Sequence, residues 1–364
     1  MPRRDAVAAL LGLLLGACTE PESTAKIAAV GDLLLQAPLQ QQAFGASDGY
    51  VSLWSAALPL LSNADLAYAN LEGPIAPGTD SSGRDVPDPG LVFDRNVYTG
   101  FPRFNYHPSL AGDLIDSNVQ VVSTANNHSL DRGALGADRT LDVLDTVGLA
   151  HAGTRRSGGA GSWSATTDTN GIRLAWLACT YGTNGVPDLA EQVLHCYDDE
   201  ALLLREVASL HADPSVDAVI VTPHWGVQYT PEPTQRDVEL GRAFVEAGAL
   251  AVIGAHPHVL QPMERVIATD GRGGVIAYSL GNFVSDQETL TRRTTVVLYL
   301  DLRRAPGGAV VVDAVRFVPI AMMRAPTLHL AVIDCEPGLE AERAHVGDVL
   351  GEDNIVPPPG CPQR

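Results

Sequence analysis

Short apolar segments recur along this 364-residue chain, and segments with helical spacing separate several of them. The predicted strands cover residues 27–30, 66–69, 119–123, 172–179, 218–222, 251–254, 275–279, 294–302, 309–318 and 328–333. Shared helix faces are predicted for Leu141, Leu144 and Val147, and for Val238, Gly241, Phe244, Val245 and Gly248. This alternation predicts an α/β fold with buried sheets flanked by helices. The last three strands have no long helix between them, so we expect antiparallel pairing there.

The first seventeen residues have the features of an export signal. Arg3 and Arg4 begin it, and the apolar stretch at 6–17 is too short to span a bilayer. Leu-Gly-Ala at 15–17 before Cys18 resembles a bacterial lipobox, which implies cleavage before Cys18 and lipidation of that cysteine. An ordinary secretory signal with an unrelated cysteine is the alternative. We predict a signal peptide at 1–17, a tether at 18–25, one main domain at 26–334 and a C-terminal tail at 335–364.

Four cysteines follow Cys18, and an even number in an exported protein favours disulfides. Pairing of sequence neighbours would join Cys179 to Cys196 and Cys335 to Cys361, and the second bond would hold the tail. Other connectivities and free buried thiols are the alternatives. No C-x-x-C spacing occurs, which argues against a structural zinc site.

The formal net charge of the chain is -19, and removal of the signal peptide with Arg3, Arg4 and Asp5 would leave -20. This charge argues against nucleic acids and anionic membrane surfaces as partners. It also opposes long-range attraction of any other polyanion, unless basic residues gather near a binding site.

Five of the predicted strands end in side chains that can bind a metal ion. These side chains are Asp32, Asn70, Glu72, Asn127, His128, His224, His256 and His258. Because the carboxyl ends of strands in open α/β sheets gather along one edge, we expect them to meet. Carboxylates, amide oxygens and imidazoles together suit a pair of divalent first-row metals. Pro257 separates His256 from His258, and we interpret the three residues as a two-pronged ligand whose rings face different ions.

Taken singly, each motif has a purely structural explanation. A Gly-Asp pair after a strand is usually a turn, and the Asn-Leu-Glu sequence at 70–72 could cap a helix. A lone histidine such as His224 is more often a hydrogen-bonded core residue than a ligand. The metal interpretation therefore depends on finding all five motifs at equivalent positions.

The same motifs resemble those of the CapA family of bacterial capsule and poly-γ-glutamate synthesis proteins. The resemblance covers about 26–284 through VGD at 30–32, NLEGPI at 70–75, ANNHSLDRG at 125–133, HWGVQYT at 224–230, GAHPHVLQP at 254–262 and YSLGNFV at 278–284. That family is similar to a branch of the calcineurin-like metallophosphatases. The resemblance implies two packed, mixed β-sheets covered by helices on both sides, which is a four-layer α/β/β/α sandwich.

The resemblance also implies roles for single residues. Its implied ligands are Asp32 and His258 for a first divalent ion, Glu72 as a bridge, and Asn127, His224 and His256 for a second ion. His128 would act as a general acid or as an electrostatic clamp on the substrate. The ions would be Mn, Fe or Zn, and water activated by them would attack a phosphorus or carbonyl centre.

Three positions depart from the wider pattern. Leu34 stands where many metallophosphatases have a further histidine ligand, so the first ion would have one imidazole fewer. Glu72 replaces the usual aspartate bridge, and Gln228 stands where the CapA branch often has glutamate. The first two departures are typical of the CapA branch. They therefore weaken the case for phosphatase chemistry more than the case for membership of that branch.

Other residues of these motifs are candidates for the pocket. Asn70, Arg132 and Asn282 are expected near the substrate, although Arg132 could equally pair with Asp131 or another surface acid. Trp225 is expected to be a wall or core residue. Residues 76–106 are rich in glycine, proline and aspartate and are predicted to form a long surface excursion over the site.

Three functions follow from the motifs and the resemblance. The first is a lipid-anchored metal-dependent hydrolase or transferase of the cell envelope, at the outer membrane where one exists, acting on poly-γ-glutamate or a similar anionic polymer. The second is a non-catalytic factor that binds the polymer or scaffolds an envelope synthase complex. The third is a general phosphoesterase. A nucleic-acid partner is not expected.

Overall fold

The computed structural model describes residues 23–359 and residue 361, so the predicted signal peptide and Cys18 lie outside the described residues. The strands are β1 (Thr24–Leu33), β2 (Leu66–Leu71), β3 (Val119–Ser123), β4 (Ala150–Ala152), β5 (Ser164–Thr169), β6 (Ile172–Thr180), β7 (Ala218–His224), β8 (Ala249–Ile253), β9 (Met263–Ile267), β10 (Gly273–Ala277), β11 (Asn282–Val284), β12 (Thr294–Arg304), β13 (Val310–Met323) and β14 (His329–Val332). The α-helices are α1 (Ala37–Gly45), α2 (Leu58–Leu61), α3 (Ser109–Asp116), α4 (Gly133–Val147), α5 (Glu200–Ala212), α6 (Gln235–Ala247), α7 (Leu290–Arg293) and α8 (Glu340–Leu350). Within this described part, no helix has the length and apolar character needed to cross a membrane.

The strands form two mixed sheets. The first has the order β14-β13-β12-β1-β2-β3-β4, with β11 also pairing with β1. Strands β1 to β4 run parallel, whereas β12, β13 and β14 follow one another antiparallel, which confirms the predicted end of a sheet. The second sheet has the order β5-β6-β7-β8-β10-β9, with parallel β6, β7, β8 and β10 between antiparallel edge strands.

The two sheets pack face to face, and helices cover their outer faces. Alternate residues of a strand point to opposite faces, so Ile27 and Ala29 of β1 enter the core between the sheets. Tyr68 of β2 stacks there on Trp176 of β6, with ring centroids 5.4 Å apart. Outer cores lie between the first sheet and α1 to α4, and between the second sheet and α5 and α6. These layers confirm the predicted α/β/β/α sandwich.

All ten predicted strands are present, and four others were missed. Strands β4 and β11 have three residues each, and β5 is largely polar, so none has the length or apolar pattern that signals a strand. The helical spacing around Leu144 and Phe244 corresponds to α4 and α6. Of the segment predicted as a tail, residues 340–350 form α8, whose Val346 is buried in the core between the sheets.

Disulfides join Cys179 to Cys196 and Cys335 to Cys361, as neighbour pairing predicts. Residues 76–106 contain no helix or strand apart from isolated bridges. Arg139 of α4 fixes this excursion by donating to the carbonyl oxygens of Pro77 and Gly78.

Candidate metal centre

Polar side chains from both sheets meet where the parallel strands end. In the first sheet, Asp32 of β1 pairs in register with Asn70 of β2 on one side and with Asn282 of β11 on the other. The remaining predicted ligands follow β2, β3 and β8 or end β7, and they are Glu72, Asn127, His256, His258 and His224. All of these side chains are buried, with at most 3% of their surface exposed. The predicted convergence of strand ends is therefore present.

Asp32 links the two sheets. Its Oδ1 accepts a hydrogen bond of 2.7 Å from the Asn70 amide. Its Oδ2 lies 3.1 Å from His258 Nδ1 and 3.4 Å from the His256 backbone N–H, which donates to it. A carboxylate at the edge of the first sheet thus fixes both histidines that follow β8 of the second.

The contacts of His258 define which ring nitrogen carries its proton. Nδ1 lies 3.1 Å from Asp32 Oδ2 and 2.9 Å from Asn282 Oδ1. Because both neighbours are acceptors, Nδ1 holds the proton, and Nε2 keeps the lone pair that could bind a cation. The Gln228 amide nitrogen lies 3.4 Å from this Nε2. Nε2 lies 3.8 Å from Glu72 Oε1. Asn282 is a predicted substrate contact, and the structure places it as the residue that orients His258.

His224 lies at the centre of a second group. Its Nε2 is 2.9 Å from Asn127 Oδ1, 3.2 Å from His256 Nδ1 and 3.6 Å from Glu72 Oε1. One ring nitrogen carries at most one proton and cannot satisfy three such neighbours by hydrogen bonding. A cation bound by these groups would satisfy all of them. The other nitrogen, Nδ1, lies 3.1 Å from the Asn70 amide nitrogen.

The Glu72 carboxylate gives the clearest indication that this site suits a cation. Both of its oxygens are buried, and neither has a hydrogen-bond partner among the described residues. Burial, together with the nearby Asp32 and Asp131 carboxylates, raises the pKa of Glu72 well above its ordinary value. Asp32, Glu72 and His258 each offer a ligand atom, and these atoms lie within 4.8 Å of one another. The donor set therefore fits a metal ion.

The imidazoles are in the form that binds metals. Burial, with smaller contributions from neighbouring rings, lowers the pKa of His256 to about 3 and lowers that of His224 well below its ordinary value. Both rings are neutral at physiological pH, with lone pairs available to a cation.

The backbone at the centre is held in an unusual conformation. His256 and His258 have positive φ angles of 98° and 58°. Tyr229, which donates to the Pro257 carbonyl, has 66°, and Asn184, which accepts from the Asn127 amide, has 50°. Such angles cost of order 1–3 kcal/mol for residues other than glycine, and they cluster at functional sites. Gly254, before the His-Pro-His segment, lies against neighbouring backbone and cannot carry a Cβ without overlap.

His128 lies beside the ligands but has a carboxylate partner of its own. Its Nδ1 is 2.7 Å from Asp131 Oδ2, which also accepts a 2.6 Å hydrogen bond from the Phe104 backbone. Nδ1 therefore carries the proton, which leaves Nε2 as the ring atom that can exchange one. Sequence reasoning considered Asp131 only as a partner of Arg132, and the three-residue spacing from His128 was the signal for this pair.

Arg132 is not brought into the cluster. Its fully buried guanidinium donates to the carbonyl oxygens of Val97 and Asp131 and to Thr99 Oγ1, and so it ties down the excursion. Leu34 is buried in the outer apolar core, and Trp225 is fully buried as predicted.

Sequence reasoning missed two tyrosines at the centre. Tyr181 follows β6, and its ring centroid is 4.3 Å from that of His256. Tyr229 lies 5.9 Å from His258 by the same measure. The position of Tyr181 at a strand end was a usable signal, and Tyr229 lies within the HWGVQYT motif at 224–230.

Comparisons with known proteins identify similar chains. The profile of the family described as "Bacterial capsule synthesis protein PGA_cap" matches residues 26–287. Capsule biosynthesis protein CapA of Bacillus anthracis is 29% identical over 265 residues, which are 71% of this chain and 59% of that protein. PGA biosynthesis protein CapA of Bacillus subtilis (strain 168) is 36% identical over 196 residues, covering 51% of this chain and 48% of that one. Among solved structures, NAD nucleotidase of Haemophilus influenzae has a TM-score of 0.48 and 10% identity, with 92% and 64% covered.

Proposed function

Because this chain belongs to the bacterial capsule synthesis protein family PGA_cap, we propose that it acts in the cell envelope on poly-γ-glutamate or a similar anionic polymer. The names of its Bacillus relatives refer to capsule and PGA biosynthesis, and the chain spans 59% and 48% of their lengths. The proposed chemistry is hydrolysis or transfer at a centre with two divalent ions. One observation carries it, which is the buried Glu72 carboxylate that has no partner among the described residues.

The distances support a division of the proposed ligands into two groups. Asp32 and His258 would hold the first ion, and Asn127, His224 and His256 the second. Glu72 would bridge, because its Oε1 is 3.8 Å from His258 Nε2 and 3.6 Å from His224 Nε2. When bound, such ions supply Lewis-acid activation of water and of a carbonyl or phosphoryl group. Mn, Fe and Zn all suit these oxygen and nitrogen donors.

His128 is the proposed proton donor to the leaving group. Asp131 Oδ2 accepts a hydrogen bond from Nδ1, which fixes the orientation of the ring and directs Nε2 as the atom that exchanges a proton. The His128 ring also packs edge to face with the Phe104 ring, with ring centroids 4.7 Å apart. Nε2 would therefore transfer a proton at a fixed position.

The proposed location is the outside of the cell, with the chain anchored through lipid on Cys18. Contact with an envelope synthase complex belongs to the same proposal. Mass spectrometry of the protein purified from its own membranes tests the anchor, since the first residue would be a lipidated Cys18. An unmodified N-terminus after a different cleavage site would contradict it.

The metal content of the purified mature chain tests the chemistry. Wild type prepared with excess Mn²⁺, Fe²⁺ or Zn²⁺ should hold about two ions, the number that carboxylate-bridged sites take. His258→Ala should lose metal, chiefly one ion, and His128→Ala should keep both ions but lose turnover of γ-linked glutamate polymer. Absence of any divalent ion from wild type after this treatment would refute the hydrolase proposal.

A second candidate function is a non-catalytic polymer-binding or scaffolding factor. Leu34 favours it, because its buried apolar side chain offers the first ion no donor. Under this alternative, His128→Ala would leave polymer production in cells unchanged. Turnover of simple phosphoesters without any action on γ-linked glutamate would instead favour the general phosphoesterase.

A further inference from the structure

Arg292 lies next to the candidate metal centre, outside every motif singled out in the sequence. Its guanidinium carbon is 3.5 Å from the centroid of the Tyr229 ring, so the two groups stack. The Tyr229 ring is in turn 5.9 Å from the His258 ring. The Tyr229 ring therefore lies near both groups, and the Arg292 guanidinium is separated from the His258 ring by no more than the two distances just given together.

Both partners of the stack are tied to the residues that build the centre. The Asn282 amide, whose oxygen orients His258, donates through its nitrogen to the Arg292 carbonyl oxygen at 2.9 Å. The Tyr229 backbone N–H donates to the carbonyl oxygen of Pro257 at 2.8 Å. The position of the guanidinium is thus coupled to the His-Pro-His segment from two sides.

Arg292 differs from the neighbouring arginines in its charge partners. Arg293 pairs with Glu342, and Arg324 pairs with Asp286. Within residues 23–359 and 361, no carboxylate forms an ion pair with Arg292. This is notable in a chain with 43 acidic and 24 basic residues.

The stack leaves the guanidinium able to bind an anion. Tyr229 covers one face of the group, while the N–H donors lie along its edges and point within its plane. Tyr229 itself is 42% exposed, so the stack lies at the surface rather than in the core. A carboxylate approaching in that plane can form two parallel charge-assisted hydrogen bonds.

We propose that Arg292, held over Tyr229, is the substrate-binding subsite of the centre and receives a free carboxylate of a γ-linked glutamyl chain. The inference rests on the proposed function and adds a specificity-determining residue to it. A γ-linked chain carries one such carboxylate on each unit. One of them can bind Arg292 while the adjoining linkage lies at the metal centre.

The test is equilibrium binding of a fluorescent γ-linked glutamate hexamer to the Mn²⁺-loaded full chain, with hexamer integrity checked by mass spectrometry. Arg292→Gln should weaken binding about tenfold or more, the loss expected for a hydrogen bond between charged groups. Arg292→Lys should lose less, because it keeps the charge but not the fork of donors. Metal content should be unchanged in both variants.

Arg173→Gln is the matched control. The substitution changes the net charge by the same amount as Arg292→Gln. Arg173 is exposed near the start of β6, the opposite end of that strand from the centre. It should alter hexamer affinity less than twofold. A hexamer whose free carboxylates are converted to amides should bind weakly to wild type and show no further loss with Arg292→Gln.

Three outcomes would overturn the assignment. Equal hexamer affinity of Arg292→Gln and Arg173→Gln would do so while leaving the proposed function intact. If Arg292→Gln weakens the binding of inorganic phosphate but not that of the hexamer, the subsite takes phosphoryl oxygens instead. A wild type that holds metal but does not bind the hexamer would refute the glutamyl substrate itself, and with it the proposed function.

Discussion

Substitution of Glu72 by glutamine should change the stability of the protein in opposite directions with and without metal. The buried Glu72 carboxylate has no hydrogen-bond partner among the described residues. Burial raises its pKa, and the nearby carboxylates of Asp32 and Asp131 add to this effect. Glutamine has nearly the same shape but no charge. In the metal-free protein, Glu72→Gln therefore removes a repulsion, whereas in the loaded protein it removes a ligand.

The magnitudes follow from these two roles. An unsatisfied buried polar group costs about 1–3 kcal/mol, and a charged one costs more. Because the amide keeps part of this cost, we expect the metal-free variant to gain about 1–2 kcal/mol in free energy of unfolding. Metal at a hundred times its dissociation constant adds about 2.7 kcal/mol to wild type, and a variant that binds far more weakly forfeits most of it. The loaded variant should therefore be the less stable protein.

Thermal unfolding of both proteins in EDTA and in excess Mn²⁺ measures the effect. A gain of this size should raise the metal-free midpoint by about 1–3 °C. Glu342→Gln is the matched control, because that carboxylate is equally buried but is paired with Arg293. It should lower the midpoint by the same amount in both conditions. If Glu72→Gln destabilises the metal-free protein, or shifts both midpoints equally, the inference that Glu72 is a metal ligand is wrong.

Two further predictions concern the glycine before the histidines and the partner of His128. Gly254→Ala should lower the free energy of unfolding by about 1–3 kcal/mol or more and reduce metal content, because its Cβ would overlap the Tyr278 carbonyl oxygen and lie 2.6 Å from Trp225 Nε1. Chemical unfolding measures this effect, with Gly112→Ala in α3 as the control. No atom lies within 4 Å of a Cβ at Gly112, so this substitution should raise the free energy of unfolding by about 0.5–1 kcal/mol. Asp131→Asn should leave metal content unchanged and lower kcat by about tenfold to a hundredfold, since an uncharged amide orients the His128 ring less firmly. Kinetics on a γ-linked glutamate polymer test this, and an unchanged kcat would exclude Asp131 as the residue that positions His128.

The sequence was most informative where ligand chemistry coincided with the end of an apolar strand. Asp32, Glu72 and His224 each stand at such an end, and parallel strands place their carboxyl ends at one edge. Their convergence follows from topology, so it could be predicted without coordinates. The same reasoning assigned Asn282 to the substrate, since strand-end position does not reveal whether an amide faces a ligand or a neighbouring ring.

Side-chain direction and long-range loop contacts could not be predicted. Arg132 follows the Asn-Asn-His motif and was expected either at the pocket or paired with Asp131 or another surface acid. The excursion at 76–106 instead supplies the Val97 carbonyl oxygen and Thr99 Oγ1, which hold it away from the pocket. Arg292 and Tyr229 are 63 positions apart in sequence, and only the folded chain brings them together beside His258. A contact of this kind leaves no periodic or spacing signal in either segment.

The strongly acidic composition and a polyanionic substrate are compatible if anion binding depends on metal loading. Without metal, the centre offers a polyanion no positive charge, because its acidic groups are Asp32 and Glu72 and the rings of His224 and His256 are neutral. The two divalent ions of the proposed centre would outweigh two carboxylates and reverse the local sign. Screening limits the repulsion from distant acidic residues to about 10 Å at moderate salt. A chain close to the surface would therefore experience chiefly the loaded centre and Arg292, so polymer binding should require metal even if no bond is broken.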